Sequence, residues 1–562
     1  MCVKFSKLLF IFFLLGLQCI GFGQNIPELP HLRDDAPSYM QYFNMPLEQV
    51  NINVAISAYK EYYKTHKFEK NEYTQYYKRF LKWSRQYAGS DGKIHLPTAE
   101  EDAERQRRAL SFRKSASRAA NWTFAGPNKT YDTDGVTKVT WQTNIYSLDI
   151  AASNSNVLFA GGEDGGMWKT TDKGLSWTLV TRDVSHGSFS AVKIDPTNEQ
   201  IVYAGTSGKL IKSTNQGTSW TTSYSESGLT VYEIAISSTN PSIVILATNK
   251  GVIRSTNGGS TWTKLFTNET WTIKSKEGSG TTFFAIRDNG TTSDFIKSID
   301  SGATWSASNT GWWTPASGEA MTGGIIATCA TNSNKLYAYL IGSGSNLYGY
   351  AGVWVSTDEG VSWTNTHPSN AIGNSPTAYA VPSHTNLMAS NGVTGFNQGF
   401  YDMAIVVNPL NDNQLIAGGT SWFKSTDGGV TWSNLGGYVG GLSWSHPDIQ
   451  WLAANGNDLW IASDGGLNYS NNFGVTMETR MDGISGSNMW GFDSGWNEDI
   501  LVGGRYHNGN MGFHQSFPAA TVYRLGGAES ATGYVSPGPQ RRVYHSDIGG
   551  KIIKPGFGNG VT

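Results

Sequence analysis

The sequence predicts an all-β repeat fold: a β-propeller of seven or more four-stranded blades, preceded by a short helical N-terminal segment. Three observations carry this reading. One eight-residue phrase recurs seven times, S/T-x-D/N-x-G-x-S/T-W, with its third position at Asp172, Asn215, Asn257, Asp300, Asp358, Asp427 and Asn472. The tryptophans that end the first four copies, Trp177, Trp220, Trp262 and Trp305, are 43, 42 and 43 residues apart. A period of about forty residues holding four short strands is one blade, and no blade can bury its own apolar faces alone. The composition agrees. Charged residues make up 15% of the 562, against about 25% in ordinary soluble proteins, while Gly (66) and Trp (20) are plentiful.

Taken in order, residues 1–24 read as a secretory signal. Lys4 and Lys7 precede the apolar run Leu8 to Leu17, which is too short to span a bilayer, and small residues around Gly21 to Gly23 precede Gln24. Cys19 raises lipidation as an alternative, although Gln18 before it fits a lipid-attachment motif poorly. No later stretch is long and apolar enough to predict a membrane span. Cys2 and Cys19 leave with the signal, so Cys329 alone remains and no disulfide framework is expected.

Residues 25–120 form a different segment. Tyr59–His66 and Tyr73–Tyr87 lack Gly and Pro, and Tyr73, Tyr76, Tyr77, Phe80 and Trp83 fall near helical spacing. Two helices are expected, followed by a charged, Ala-rich linker from Ala99 to Arg118.

Residues 121–562 hold the array. The first unit shows the grammar: Tyr146–Ala151 and Val157–Gly161 as strands, a turn at Gly165–Gly166, Met167–Thr170 as the third strand, then the repeated phrase leading into Trp177–Val180. The spacing stretches to 58 and 69 residues later, with aromatic insertions bearing Trp312, Trp313, Tyr348, Tyr350 and Phe396. Inserted loops in such arrays gather on one face, often the binding face. Past Met477 two looser units, Ile500–Gly504 and Val543–Gly550, suggest further blades. The sequence stops mid-unit at Thr562, which leads us to expect a continuation.

Each position of the phrase has a local task. Asp or Asn accepts backbone N–H bonds from residues that follow, Gly takes a positive φ, and Trp packs on the fourth strand between sheets. The phrase therefore speaks of scaffold and not of chemistry. It is the Asp-box, or BNR, repeat. Residues 122–562 resemble Asp-box propellers: sialidases, family 74 glycoside hydrolases, sortilin-type ectodomains and photosystem assembly factors. In those proteins the boxes sit on the blade periphery. The strings Gly399–Asp402, His446–Gln450, Ala462–Gly466 and Gly503–Gly509 are also similar to large secreted Bacteroidetes proteins exported by the type IX system.

The resemblance places ligands where the innermost strands begin. The starts carry Tyr146, Ser190, Tyr232, Tyr401, Asp402, His446, Asp448 and the stretch Asn488 to Trp490. Asp402, Asp448 and Asp464 are the candidate acid–base carboxylates, and Tyr401, His446, Trp490, Arg505, His507, Trp312 and Trp313 the candidate ligand contacts. Each has a plain structural alternative: a turn cap, a satisfied histidine or core packing. Asp464 in particular shares its Asp-Gly-Gly setting with Asp164. Residues from 122 onward include eight Arg and no F/Y-R-I-P string, which argues against a sialidase. The family 74 resemblance implies an Asp pair, for which Asp164 with Asp464 or Asp547 are the nearest matches. No peptidase or esterase motif occurs, and no metal or cofactor is called for.

The net charge of −2 gives no basic surface for nucleic acid. The expected role is an exported or cell-surface module binding polysaccharide or extracellular protein, with a polysaccharide-cleaving hydrolase as the alternative.

Overall fold

The computed structural model describes residues 29–555 apart from 31, 34–35, 69–70, 86, 97–99, 102–103, 105–125, 133, 185, 291, 345–348, 371, 374–384, 391, 393–397, 400, 438–444, 496–499, 527–532, 537–542 and 547–552. The signal reading for 1–24, nearly all of the linker, and Tyr348, Phe396 and Asp547 lie outside the described residues. The chain divides into two compact units, 1–123 and 124–562. No helix among the described residues is long and apolar enough to cross a membrane.

The first unit is built on two helices, α1 (Ile52–Thr65) and α2 (Glu72–Ser84). Asn51 caps α1 by accepting from the Asn53 and Val54 amides, and Asn71 forms a reciprocal capping box with Thr74 on α2. These caps satisfy amides that have no partner within the helix. Tyr73, Tyr76, Tyr77, Phe80 and Trp83 do share the buried face predicted by their spacing. They meet Tyr39 and Phe43, and Tyr59 of α1 stacks on Tyr77 at 3.7 Å between ring centroids.

The second unit is a seven-bladed propeller with two further sheets. Blades 1 to 7 span 145–179, 189–225, 231–266, 270–307, 320–365, 404–437 and 449–479, each a four-stranded antiparallel sheet in simple sequence order. The innermost strand of each blade lies beside that of the next, and that of blade 7 (Ile449–Asn455) lies beside that of blade 1 (Ile145–Ile150). The ring therefore closes on seven. The looser units past Met477 are not additional blades of it. They form a five-stranded sheet and a three-stranded sheet (533–555) next to it.

Seven apolar clusters hold the ring, one at each joint between blades. At the closing joint, Ile145, Leu148, Leu158 and Trp168 of blade 1 pack with Trp460, Ala462, Leu467 and Tyr469 of blade 7. No strand is shared across that joint, so burial has to hold it, helped by Trp177 N–H donating to the Asp482 carbonyl. The five-stranded sheet has the order Lys129–Tyr131, Thr521–Gly526, Gly509–His514, Ile500–Arg505, Met489–Ser494. Its outer strand, Lys129–Tyr131, comes from before the ring and pairs in parallel with Thr521–Gly526.

The repeated phrase is a rivet, as its residue types predict. In the first copy the Gly174 amide donates to Thr170 Oγ1, the Ser176 amide to Asp172 Oδ1 and the Ser176 hydroxyl to Asp172 Oδ2. Gly174 has φ +73°, and Lys173 before it also adopts a left-handed conformation at +57°. The tryptophan stands immediately before the fourth strand rather than on it. From there Trp177 Nε1 donates to the Arg480 carbonyl of blade 7, and Trp220 Nε1 to the Val180 carbonyl of blade 1. Each ring thus faces the preceding blade. Trp312 and Trp313, expected on a binding loop, lie instead in the joint between blades 4 and 5. Trp312 meets Phe295 and Trp363, and its Nε1 donates to Ser293. Their large apolar area is consumed by that core.

Asp and Asn boxes solve one geometry with opposite proton arrangements. Asp300 accepts the Thr304 hydroxyl at 2.6 Å, whereas Asn215 Nδ2 donates to Ser219 Oγ at 2.8 Å. Hydrogen bonds from Thr304 and Ser298 hold the Asp300 carboxyl down at about 2, and Asp172, Asp358 and Asp427 are lowered by the same kind of bonds against the opposing effect of burial. These pKa values lie below the unfolded value of about 3.9. Their stabilisation is full above that pH and is lost as pH falls through the folded values. Asp300→Asn is expected to retain stability near neutral pH and to flatten the acid limb between pH 4 and about 2, while Asp300→Ala costs about 1 kcal/mol. Denaturant titrations of the three proteins across pH 2–7 check this.

Candidate functional site

Six of the seven innermost strands, all but that of blade 6, share a local distortion that shapes the mouth of the ring. A register shift flanks their second residue or its equivalent, at Tyr146, Ser190, Tyr232, Trp271, Thr322 and Gln450, and again at Trp490 in the five-stranded sheet. A bulge leaves that residue outside the ladder and re-aims its side chain. Four of these positions are aromatic, and Tyr146, Tyr232, Trp271 and Trp490 are all half-buried. Deeper in the ring, Lys274 Nζ of blade 4 lies 5.6 Å from the Trp451 ring centroid of blade 7. Blades that are not neighbours meet there, so the hub is spanned by side chains at that level.

On one side of the mouth, polar groups from blades 6, 7 and 1 converge. Tyr401 and Asp402 precede the innermost strand of blade 6 (Ala404–Asn408), and their amides both donate to the Gln398 carbonyl. The Tyr401 hydroxyl crosses over blade 7 to blade 1. It accepts from Asn144 Nδ2 at 2.7 Å and lies 3.1 Å from the Tyr146 hydroxyl. It also donates to Asp464 Oδ1 at 3.2 Å and lies 3.3 Å from His507 Nε2. Burial first, then the Asp464 charge, raises its pKa well above the ordinary tyrosine value. The hydroxyl keeps its proton.

Asp464 and Glu163 occupy the same hairpin of blades 7 and 1, between the second and third strands. His507 comes from the tip of the hairpin between Ile500–Arg505 and Gly509–His514, and it is seated between them. Its Nδ1 is 2.9 Å from Asp464 Oδ2, and its Nε2 is 3.8 Å from Glu163 Oε2. The Gln450 amide, on the blade 7 bulge, donates to both Asp402 Oδ1 (3.0 Å) and Asp464 Oδ1 (2.8 Å). Three carboxylates are thus laced together by an amide, a phenol and an imidazole. Asp402 and Asp464 have no exposed surface, and each has an oxygen that accepts from the Gln450 amide.

The hairpin is locked from behind. Asn508 Nδ2 donates to the Asp464 carbonyl, and the His446 Nε2 contacts the His507 carbonyl at 3.0 Å. The two Asp-Gly-Gly turns serve backbone packing. A Cβ at Gly465 would come within 2.0 Å of the Thr140 carbonyl, and one at Gly165 within 2.3 Å of Gly486 Cα. These approaches account for the glycines that follow Asp164 and Asp464 in the two blades that close the ring.

The predicted site residues therefore divide. Tyr401, Asp402, Asp464 and His507 are brought together. Asp448 is close by but serves the scaffold: Gln398 Nε2 donates to it at 2.8 Å, and its φ is +67°. His446 lies behind the hairpin, against Trp141. Trp490 stacks on Tyr506 at 4.9 Å, next to His507. Arg505 is fully buried on the far side of the hairpin. Asp164 is exposed and accepts from Asn488. The sequence reading passed over Glu163, Asn144 and Gln398. Glu163 had one signal, its place directly before the repeated Asp-Gly-Gly; Asn144 and Gln398 had none. Among the described residues no group of three His, Cys, Asp or Glu has metal-holding geometry.

With this geometry in view, the comparisons define the fold. The family described as Photosynthesis system II assembly factor YCF48 matches residues 129–312, which cover blades 1 to 4. The GH74 xyloglucanase from Xanthomonas campestris superposes with a TM-score of 0.53 at 15% identity, covering 74% of this chain and 68% of that one. An ancestral GH74 enzyme gives 0.53 at 16%, covering 73% of this chain and 59% of that one. No curated protein matches the chain. The fold is an Asp-box β-propeller. Identities this low establish architecture and nothing about chemistry.

Burial holds the His446 pKa down at about 4, below the ordinary histidine value of about 6.5. The unfolded chain takes up a proton at this position between those values and the folded chain does not. Stability is therefore lost as pH falls from 6.5 toward 4. His446→Gln is expected to remove that part of the pH dependence, and the His446 ring resonances in NMR are expected to stay unchanged from pH 8 down to pH 5.

Proposed function

We propose that this protein is an exported binding module that takes a polysaccharide at the mouth of its propeller. The observation that carries the reading is the seat of His507. Cleavage of a glycosidic bond with inversion needs two carboxyl groups about 6.5–9.5 Å apart with room for sugar and water between them. Here the space between Glu163 and Asp464 holds an imidazole, and the third carboxylate, Asp402, is bound by Gln450. The groups left to face a ligand are the bulged aromatics Tyr146, Tyr232, Trp271 and Trp490. Flat amphipathic rings backed by hydroxyls suit sugar faces.

The test is binding and turnover on soluble polysaccharides. Wild-type protein is expected to bind without releasing reducing ends, and Tyr146→Ala or Trp271→Ala to weaken binding about tenfold or more, as truncation of a central aromatic does. Release of reducing ends that disappears in Asp464→Asn would replace this reading with the hydrolase one.

Export is part of the proposal and rests on residues 1–24. Expressed in a bacterium of the Bacteroidetes, the protein is expected outside the cytoplasm with its N-terminus trimmed near Gln24. A full-length cytoplasmic chain would overturn that part alone.

A further inference from the structure

A cation stands directly before most of the boxes: Lys169, Lys212, Arg254, Lys297 and Lys424, on the third strands of blades 1, 2, 3, 4 and 6. Each reaches across a joint to the box of the next blade. Lys169 Nζ donates to the Gln216 carbonyl at 3.2 Å. Lys212 Nζ donates to the Gly258 carbonyl, Arg254 Nε to that of Ser301 and Lys424 Nζ to that of Phe473, each at 2.7 Å. These four acceptors hold the same place, the fourth of the box, and all are left-handed, with φ between +49° and +63°. The box engages its amides internally, and the blade before it takes up this carbonyl. Lys297 meets the residue in the same place of blade 5 through its side chain, at 2.7 Å from Glu359 Oε2. Blade 5 itself carries Val355 at the cation's position.

The closing joint is made differently. Before the box of blade 7 stands Tyr469, whose hydroxyl donates to Asp458 at 2.5 Å. Arg480, one residue past the fourth strand Glu478–Thr479, acts in its place. The guanidinium lies over the Tyr469 ring, its Cζ 4.2 Å from the centroid, and Nη1 donates at 2.7 Å to the Lys173 carbonyl, the fourth place of the blade 1 box. Glu478 Oε1 accepts from Nε at 2.7 Å and steadies the fork. Blade 1 answers at the same residue, since Trp177 Nε1 donates to the Arg480 carbonyl, and Lys173 Nζ reaches back to Asp458 at 2.6 Å. Lys138 Nζ also lies 2.9 Å from Asp482, but an ion pair between exposed side chains adds little.

We propose that Arg480 is the latch of the ring, whose release lets blades 7 and 1 part at the rim while the six joints between consecutive blades stay closed. At those six the chain itself limits separation. At the seventh no strand is shared, and the rim is held by one fork that donates to blade 1 and one carbonyl that accepts from it. The mouth holds the other end of the same seam, where the Gln142 and Thr143 amides donate to the Gly465 carbonyl. The latch does not depend on what the mouth binds.

Hydrogen exchange of the full chain, resolved by peptide, tests this on Arg480→Met, Arg480→Lys and Lys212→Met. Arg480 is half-buried, so its replacement leaves the apolar cluster of the joint in place. The amides that report on the seam are Gln142 and Thr143, bonded to Gly465, and Trp177, bonded to the Asp482 carbonyl. Arg480→Met is expected to speed their exchange about tenfold or more, as loss of a hydrogen bond from a charged donor does, with the strands of blades 2 to 6 at wild-type rates. Arg480→Lys, which keeps the charge and loses the fork, is expected to fall between, and it carries the test if Arg480→Met does not fold. Lys212→Met loses the same bond between consecutive blades and is expected to leave the three seam amides unchanged. Wild-type rates at those amides in the Arg480 variants overturn the proposal. So does an acceleration spread evenly over all blades, or one that Lys212→Met reproduces at the seam.

Discussion

Everything in the propeller depends on burial between blades. A four-stranded sheet has two apolar faces and no means of covering either by itself. Seven joints, each with its own cluster of apolar side chains, provide that cover. Six of them connect consecutive segments, so the chain brings the partners together at small entropic cost. The seventh joins residues some three hundred positions apart and must repay a longer loop closure. It is accordingly supplied with the large rings Trp168, Trp177, Trp460 and Tyr469, and with two Asp-Gly-Gly turns that let backbones approach where a side chain could not fit.

The same joint explains where chemistry collects. Blades 7 and 1 must each leave a hairpin at the mouth, and those hairpins carry Asp464 and Glu163. The next sheet then delivers His507 between them. The polar cluster is a by-product of closure as much as a site, since its members satisfy one another. That dual character bears on any argument from acidic residues in propellers: the presence of carboxylates at the mouth says little until their partners are known. Here the partners are an amide, a phenol and an imidazole, and each limits what the acids are free to do.

Much of the architecture was legible in the sequence because the repeated phrase encodes a turn by sterics and hydrogen bonds local to eight residues. Asp172 with Ser176, or Asn215 with Ser219, needs no distant partner to define its geometry. The helices α1 and α2 were legible for a similar reason, through their spacing and their freedom from Gly and Pro. What could not be read was any relation set by tertiary contact. Trp312 and Trp313 looked like loop aromatics because an insertion carries them, yet burial in a joint is a property of the fold. The number of blades escaped because Ile500–Gly504 has the local pattern of a second strand whether or not it belongs to the ring. Tyr401, Asp402, Asp464 and His507 were named individually, but their company was not foreseeable: Glu163, Asn144 and Gln398 look like ordinary turn and loop residues.

The outermost strand of the five-stranded sheet has a mechanical meaning. Lys129–Tyr131 enters the ring and Thr521–Gly526 comes after it, and the two run side by side in the same direction. Tension drawn through the chain from either flank meets this pair before it meets any blade, and loads its hydrogen bonds together in shear instead of peeling them singly. The ring hangs between the two strands like a bead on a knotted thread, protected from pulling by a clamp only three residues long.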